Sequence, residues 1–302
     1  MKKLLFALAL TLLPATARTW TSNDGKALEA DFVSATETQV TLKLTKTGRE
    51  VTIFLSRLSE ADQTFVKEEA KPPEVEATAI EGEYAHLVTG DWVKGEYGKL
   101  PYSFYGGKEL NGSSKVPLVV SLHGRSSNDE NGNQIGFAKT FVSEENYKDR
   151  PCLVLAPLCY QPFGATGGGW DDAPGEEALS LVKDLLKKLP IIDKDRVYVI
   201  GYSMGGFGTW HFLKEEPKVF AAGVPVAGGT RGAGKLRSMP IWSFHGAKDD
   251  VVSPDSARNC AEELKRSKVF KYTEFPEEGH SIIGKVTKDP EVHKWLFEQS
   301  KK

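Results

Sequence analysis

The order of apolar and polar positions divides the chain into two kinds of segment. Between Thr19 and about Ala70 they alternate: Leu28, Ala30 and Phe32, then Val40, Leu42 and Leu44, then Val51, Ile53 and Leu55. Period two over short runs predicts half-exposed strands in a small sheet or barrel. Turn residues separate them, Asn23-Asp24-Gly25 before the first run and Thr47-Gly48-Arg49 between the last two. Ser59 is placed to cap a short helix through Phe65 and Val66. Lys71-Pro72-Pro73 to Ala79 is polar and without period, as a linker is. From Tyr84 onward the pattern changes. Val116–Leu122, Cys152–Ala156, Val197–Ile200, Ala221–Val226 and Ile241–Phe244 are apolar runs, Val269–Phe275 is a further strand, and 97–105 an earlier antiparallel pair. Between Pro174 and Pro190, Ala178, Leu181, Val182 and Leu185 make a wide apolar helix face. A second helix is predicted with Pro254 at its first position and Ser253 as its cap, and a closing one over Val292–Gln299. Strands alternating with helices predict a mostly parallel sheet covered on both faces, with its active groups at the carboxyl ends of the strands.

Residues 1–17 stand apart. Lys2 and Lys3 precede an apolar run, Leu4–Leu13, too short to span a bilayer, and Ala15-Thr16-Ala17 has the form of a cleavage site. We read a bacterial-type secretory signal, so a secreted or periplasmic protein is expected. The organisation is then signal 1–17, small β module 18–70, linker 71–83 and large domain 84–302. The 302 residues carry a net charge of -2, too balanced for nucleic acid to be the expected partner. No later segment has the length and hydropathy of a membrane span. Three cysteines, Cys152, Cys159 and Cys260, make no disulfide framework; Cys152–Cys159 could bridge in an oxidising compartment, but Cys152 opens an apolar strand and is expected to be simply buried. The motifs carry no metal-ligand spacing, and neither metal nor cofactor is expected.

One stretch carries chemistry. Val197–Ile200 is strand-like, Gly201-Tyr202-Ser203-Met204-Gly205 follows at once, and Phe207, Trp210 and Leu213 have helical spacing. Strand, G-x-S-x-G and helix in that order describe a nucleophile elbow, which lifts a serine hydroxyl above a sheet edge. The residues two before and two after the serine must then be nearly without side chains. Two further loops follow strands: His245-Gly246-Ala247-Lys248-Asp249-Asp250, and Glu278-Gly279-His280-Ser281. A serine hydroxyl needs a base, which an imidazole of ordinary pKa about 6.5 supplies, and the imidazole needs a carboxylate on its other nitrogen. His280 is the candidate base, with Asp249 or its neighbour Asp250 as the carboxylate. His123 and His245 are expected to support turns through their side chains.

Nucleophile, acid and histidine in this chain order resemble the α/β-hydrolase esterase branch, which includes bacterial carboxylesterases, dienelactone-hydrolase-like enzymes and prolyl-oligopeptidase-type peptidases. The resemblance covers the chain from about Tyr84. Its H-G-x-x-D spacing points to Asp249 rather than Asp250. It implies an oxyanion hole from the backbone N–H groups of Met204 and Arg125. The N-terminal segment, from Arg18-Thr19-Trp20 to the L-S-E-A-D-Q run ending at Gln63, resembles a Sla-homology-domain-one module. That resemblance implies an SH3-like barrel that either binds a peptide or protein ligand or acts as a passive spacer; no residue in it can do chemistry. Trp170 and Phe163, in the glycine-rich 160–172 segment, are candidates for a substrate pocket. The expected activity is a secreted serine carboxylesterase for small or polysaccharide-linked esters. The alternatives are a prolyl-oligopeptidase-type serine peptidase and a non-catalytic binding or adhesion protein.

Overall fold

The computed structural model describes residues 18–36, 38–69, 78–125, 133–162 and 169–301. The signal-peptide reading of 1–17, most of the linker and Phe163 lie outside the described residues. The chain divides into two compact units, Met1–Glu76 and Ala77–Lys302.

In the first unit, β1 (Arg18–Thr21), β2 (Ala27–Ala35), β3 (Gln39–Leu44) and β4 (Glu50–Phe54) form an antiparallel sheet in chain order. The alternation predicts β2 to β4; β1, four residues long, is too short to show a period. Trp20, Ala30, Val40, Leu42, Leu55, Leu58 and Val66 form its core, the last from α1 (Glu60–Glu69). The Ser59 hydroxyl accepts the Asp62 N–H, as a capping residue should. The L-S-E-A-D-Q run has a physical role that its sequence did not disclose. Asp62, 2% exposed, accepts hydrogen bonds from Arg18 (2.5 Å), the Thr21 N–H (2.7 Å) and the Ser59 hydroxyl (3.0 Å). A buried carboxylate is tolerable only when so satisfied, and these bonds fasten the helix to the first strand.

The second unit is built on an eight-stranded sheet. Its strands are β5 (Trp92–Tyr97), β6 (Leu100–Tyr105), β7 (Val116–Leu122), β8 (Leu153–Pro157), β9 (Ile192–Tyr202), β10 (Ala222–Val226), β11 (Ile241–Gly246) and β12 (Phe270–Phe275). Their order is β12-β11-β10-β9-β7-β8-β6-β5, parallel from β8 to β12, with β6 antiparallel to both β8 and β5. β7 is buried at all seven positions, and the pleat sends its side chains to two cores. Leu118, Val120 and Leu122 join the layer containing α3 (Ala173–Lys188) and α4 (Met204–Glu215), while Val119 joins the opposite layer with Phe141, Val292 and Leu296. This double coverage is why the central strands read as apolar runs instead of alternations.

One local expectation is corrected and one open alternative is decided. The helix after Val252, α5 (Asp255–Leu264), has Pro254 rather than Ser253 at its N-cap; the Ser253 hydroxyl only accepts the Asp255 N–H, at 3.3 Å. Cys152, Cys159 and Cys260 are all free and buried, so no Cys152–Cys159 bridge is present. No helix of the described residues is long and apolar enough to cross a membrane.

Candidate active site

At the carboxyl end of β9 the chain turns into α4 within a single residue. Ser203 takes φ 55° and ψ -115°, a conformation that costs free energy in a residue with a Cβ. Close packing enforces it. A Cβ on Gly201 would sit 2.1 Å from the Gly205 carbonyl oxygen, and one on Gly205 would sit 1.8 Å from that of Leu122. The Ser203 N–H donates to the Val226 carbonyl at 2.9 Å, anchoring the turn to the neighbouring strand. Its hydroxyl then has one direction in which to point, and Met204 follows it as the first residue of the helix, where backbone N–H groups are free.

The other two loops meet it there. His280 Nε2 lies 3.0 Å from Ser203 Oγ, and His280 Nδ1 lies 2.7 Å from Asp249 Oδ2. Asp249 is 7% exposed, and its second oxygen accepts the N–H groups of Val251 (2.9 Å) and Val252 (2.8 Å). Burial works to raise its carboxyl, but the hydrogen bond from His280 and those two backbone donors outweigh burial and hold it below its usual value. It is therefore ionised at neutral pH and can only accept. His280 must carry its proton on Nδ1, which leaves the Nε2 lone pair for the serine hydroxyl. Asp250, the neighbouring candidate, is exposed.

Two contacts were not visible in the sequence. His245 Nε2 lies 3.0 Å from the Val252 carbonyl and 3.2 Å from Asp249 Oδ2, so the histidine of the H-G pair supports the acid as well as its own turn. The Tyr202 ring packs on His280 with centroids 5.0 Å apart, and its hydroxyl donates to the His280 carbonyl at 3.2 Å. The elbow spacing could have flagged Tyr202, which directly precedes the serine. His123 braces its turn as expected, with Nε2 accepting the Cys159 N–H at 2.9 Å and Nδ1 2.7 Å from the Gly124 carbonyl.

Ser203, His280, Tyr202, Gly124, Arg125 and Val251 line a cavity of about 440 Å³. Trp170 does not. It is 1% exposed, its indole N–H donates to the His123 carbonyl at 3.1 Å, and it packs edge-on to His123 and Phe212. Its bulk supports the scaffold; its edge meets an adjacent groove of about 690 Å³, beyond Val251, lined also by Met204, His211 and Lys214.

The fold agrees with that of solved structures. Over 94% of its length the chain is similar to a thermostable esterase, of which it covers 70% (TM-score 0.59, 24% identity). Over 72% it is similar to the Pyrococcus furiosus esterase Pf2001, covering 96% of that chain (TM-score 0.51, 19% identity). Est1E from Butyrivibrio proteoclasticus matches over 70% of this chain and 98% of its own (TM-score 0.50, 15% identity). The large unit has the α/β-hydrolase fold. Within it, residues 167–234, which include the elbow, match the model of the prolyl oligopeptidase family. A curated relative, the bifunctional acetylxylan esterase/xylanase XynS20E of Neocallimastix patriciarum, is 34% identical over 142 residues, 45% of this chain. The chain spans about a fifth of that relative's length (20%).

Proposed function

We propose that the large unit is a serine carboxylesterase working through an acyl-enzyme. The observation that carries this reading is the unbroken chain Asp249–His280–Ser203, with both hydrogen bonds at 3.0 Å or less, opening into a cavity. Ser203 Oγ attacks the ester carbonyl carbon while its proton passes to His280 Nε2, and Asp249 stabilises the imidazolium that forms. The negative charge on the carbonyl oxygen is met by the backbone N–H groups of Met204, at the start of α4, and Arg125. Losing one such donor costs about 3 kcal/mol in the barrier. Collapse returns the proton to the departing alcohol, and water, activated by His280 in turn, releases the acid. The substrates are small or polysaccharide-linked esters. The acetylxylan esterase named among the relatives supports this class, and the match to the prolyl oligopeptidase family keeps amide cleavage as a second reading. The N-terminal unit is an SH3-like appendage, either a spacer or a holder of a peptide or protein ligand; its four-stranded antiparallel sheet agrees with that fold and does not distinguish the two roles. Export of the protein rests on the pattern of residues 1–17.

A panel of p-nitrophenyl esters and aminoacyl nitroanilides tests the reaction class, and a fluorophosphonate probe tests the nucleophile. Turnover of short esters is expected, together with labelling at Ser203 alone. Ser203→Ala should lower turnover by roughly 10⁴-fold or more with the fold intact. Faster turnover of the nitroanilides would favour the peptidase reading, and an active Ser203→Ala enzyme would remove both.

A further inference from the structure

The amino ends of β10, β11 and β12 lie at the opposite end of the parallel sheet from Ser203, Asp249 and His280, which follow β9, β11 and β12. A groove of about 900 Å³ runs there, formed by the segments that lead into these strands and by residues 299–301 after α7 (Pro290–Phe297). Six of its lining residues are cationic, Lys218, Lys235, Arg237, Arg266, Lys268 and Lys301, and none is acidic. Lys301 Nζ is committed to the carbonyls of Lys218 and Val219. The other five are exposed, and among the described residues their side chains make neither an ion pair nor a hydrogen bond. The two carboxylates of α5 next to Arg266 are spent elsewhere: Glu262 pairs with Lys265, and Glu263 accepts the N–H groups of Gly232 and Gly234. Concentrating like charge around a concavity in a chain of net charge -2 raises the free energy of the unbound state, and an anion in the groove relieves it.

We infer that this groove is a docking site for an acidic peptide segment of another protein, carrying apolar side chains between its carboxylates. The floor selects that partner. Phe220, Leu236 and Met239 lie beneath the cations, and Val269, 39% exposed, stands among them as an uncovered apolar surface. A single-stranded nucleic acid is held by stacking on exposed rings, and the groove's one ring, Phe220, is 1% exposed. A bilayer surface is engaged by a protruding basic or amphipathic segment, not by a concave one. A polyuronate would satisfy the cations and leave Val269 uncovered. The site is independent of the esterase reading, because no residue of the groove reaches the Ser203 cavity.

The test is fluorescence anisotropy of a short labelled peptide of Glu-Glu-Leu repeats on the full chain, with serine-for-glutamate and serine-for-leucine peptides as controls. Polygalacturonate and phosphatidylglycerol vesicles serve as competitors. The acidic-apolar peptide is expected to bind saturably and to weaken about tenfold or more in Arg237→Glu/Arg266→Glu. It should weaken likewise when salt is raised from about 0.05 M to about 0.5 M. The leucine-free peptide is expected to bind several-fold less tightly, and an unchanged thermal midpoint would show the variant folded. A second variant, Lys218→Glu/Lys268→Glu, repeats the test should the first fail to fold. No saturable binding, equal binding to a folded variant, or equal binding of the leucine-free peptide overturns the proposal. So does displacement of the peptide by polygalacturonate or vesicles at lower concentration than by unlabelled peptide.

Discussion

The turn at Ser203 and the turn at Asp249 bring their side chains to one histidine, but different forces hold them. Around Ser203 the backbone is pressed into shape by neighbouring backbone, with the Gly201 and Gly205 positions filled by carbonyl oxygens and no side-chain cap on the helix. Around Asp249 the shape comes from hydrogen bonds: one carboxylate oxygen takes the Val251 and Val252 N–H groups, the other faces His280 and His245. The first turn tolerates no added volume. The second is as tight at Gly246, where a Cβ would sit 2.1 Å from the Gly279 carbonyl oxygen, but it depends in addition on every donor and acceptor around the carboxylate. Steric walls fix a hydroxyl at one point, whereas a polar cluster keeps a carboxylate charged while nearly buried.

The largest effect expected of this comparison is at the acid. Asp249→Asn keeps the shape yet offers His280 an amide, favouring the wrong tautomer, and in a serine-protease triad the same change lowers turnover about 10⁴-fold. Asp250→Asn, at an exposed position, should cost on the order of tenfold or less. Measuring ester turnover of both, with folding checked by circular dichroism, decides the assignment; a dead Asp250→Asn enzyme beside a live Asp249→Asn one would reverse it.

Next in size is the elbow. Gly205→Ala places a Cβ 1.8 Å from the Leu122 carbonyl oxygen, with backbone on both sides and no flexible side chain to give way. Urea unfolding should show a loss of about 3 kcal/mol or more. A variant as stable as the parent would mean that the turn is held by something other than contact.

A smaller effect is expected at His245, where His245→Phe removes the donor shared by Val252 and Asp249. Stability should fall by about 1.5–3 kcal/mol, the worth of a hydrogen bond to a charged group. Turnover of the folded enzyme should fall about tenfold with KM little changed. Unchanged turnover would assign His245 to the turn alone.

The smallest concerns His293, on the far side of the sheet from this polar cluster. Burial lowers the pKa of its imidazole, against the opposing hydrogen bond at the Thr287 carbonyl. Above about pH 6.5 the ring is neutral in both folded and unfolded chains, and its contribution to stability is complete. Below that the unfolded chain takes up the proton first, so stability falls as pH drops, by at most about 1.4 kcal/mol per pH unit. His293→Gln should flatten the stability profile between about pH 7 and pH 5. An equally steep profile in the variant would place the titrating group elsewhere.

How far the sequence reaches depends on whether a feature is local. The parallel sheet, its two-sided burial and the strand–turn–helix around Ser203 were legible because each is written in consecutive residues. An apolar run such as Val116–Leu122 and a pair of glycines flanking a serine constrain the chain wherever it folds. The order of Ser203, Asp249 and His280 along the chain was legible too, and the family spacing favoured Asp249 over Asp250. Strand β1 was missed because four residues hold too little pattern, and the helix start was placed one residue early because Pro254 already takes helical angles, φ -55° and ψ -23°, just before α5. For Trp170 the sequence left pocket lining and scaffold packing equally open; the fold packs its ring on His123 and Phe212 and leaves an edge at the groove of about 690 Å³. Tertiary structure alone decided that Tyr202 packs on His280, that His245 shares Asp249 with it, and that Asp62 ties a helix to Arg18. It also gathered the cations at 218, 235–237, 266–268 and 301 around one groove. Apart from His245–Asp249, these contacts join residues tens of positions apart, and the strength of all of them depends on burial and distance, neither of which a linear pattern carries.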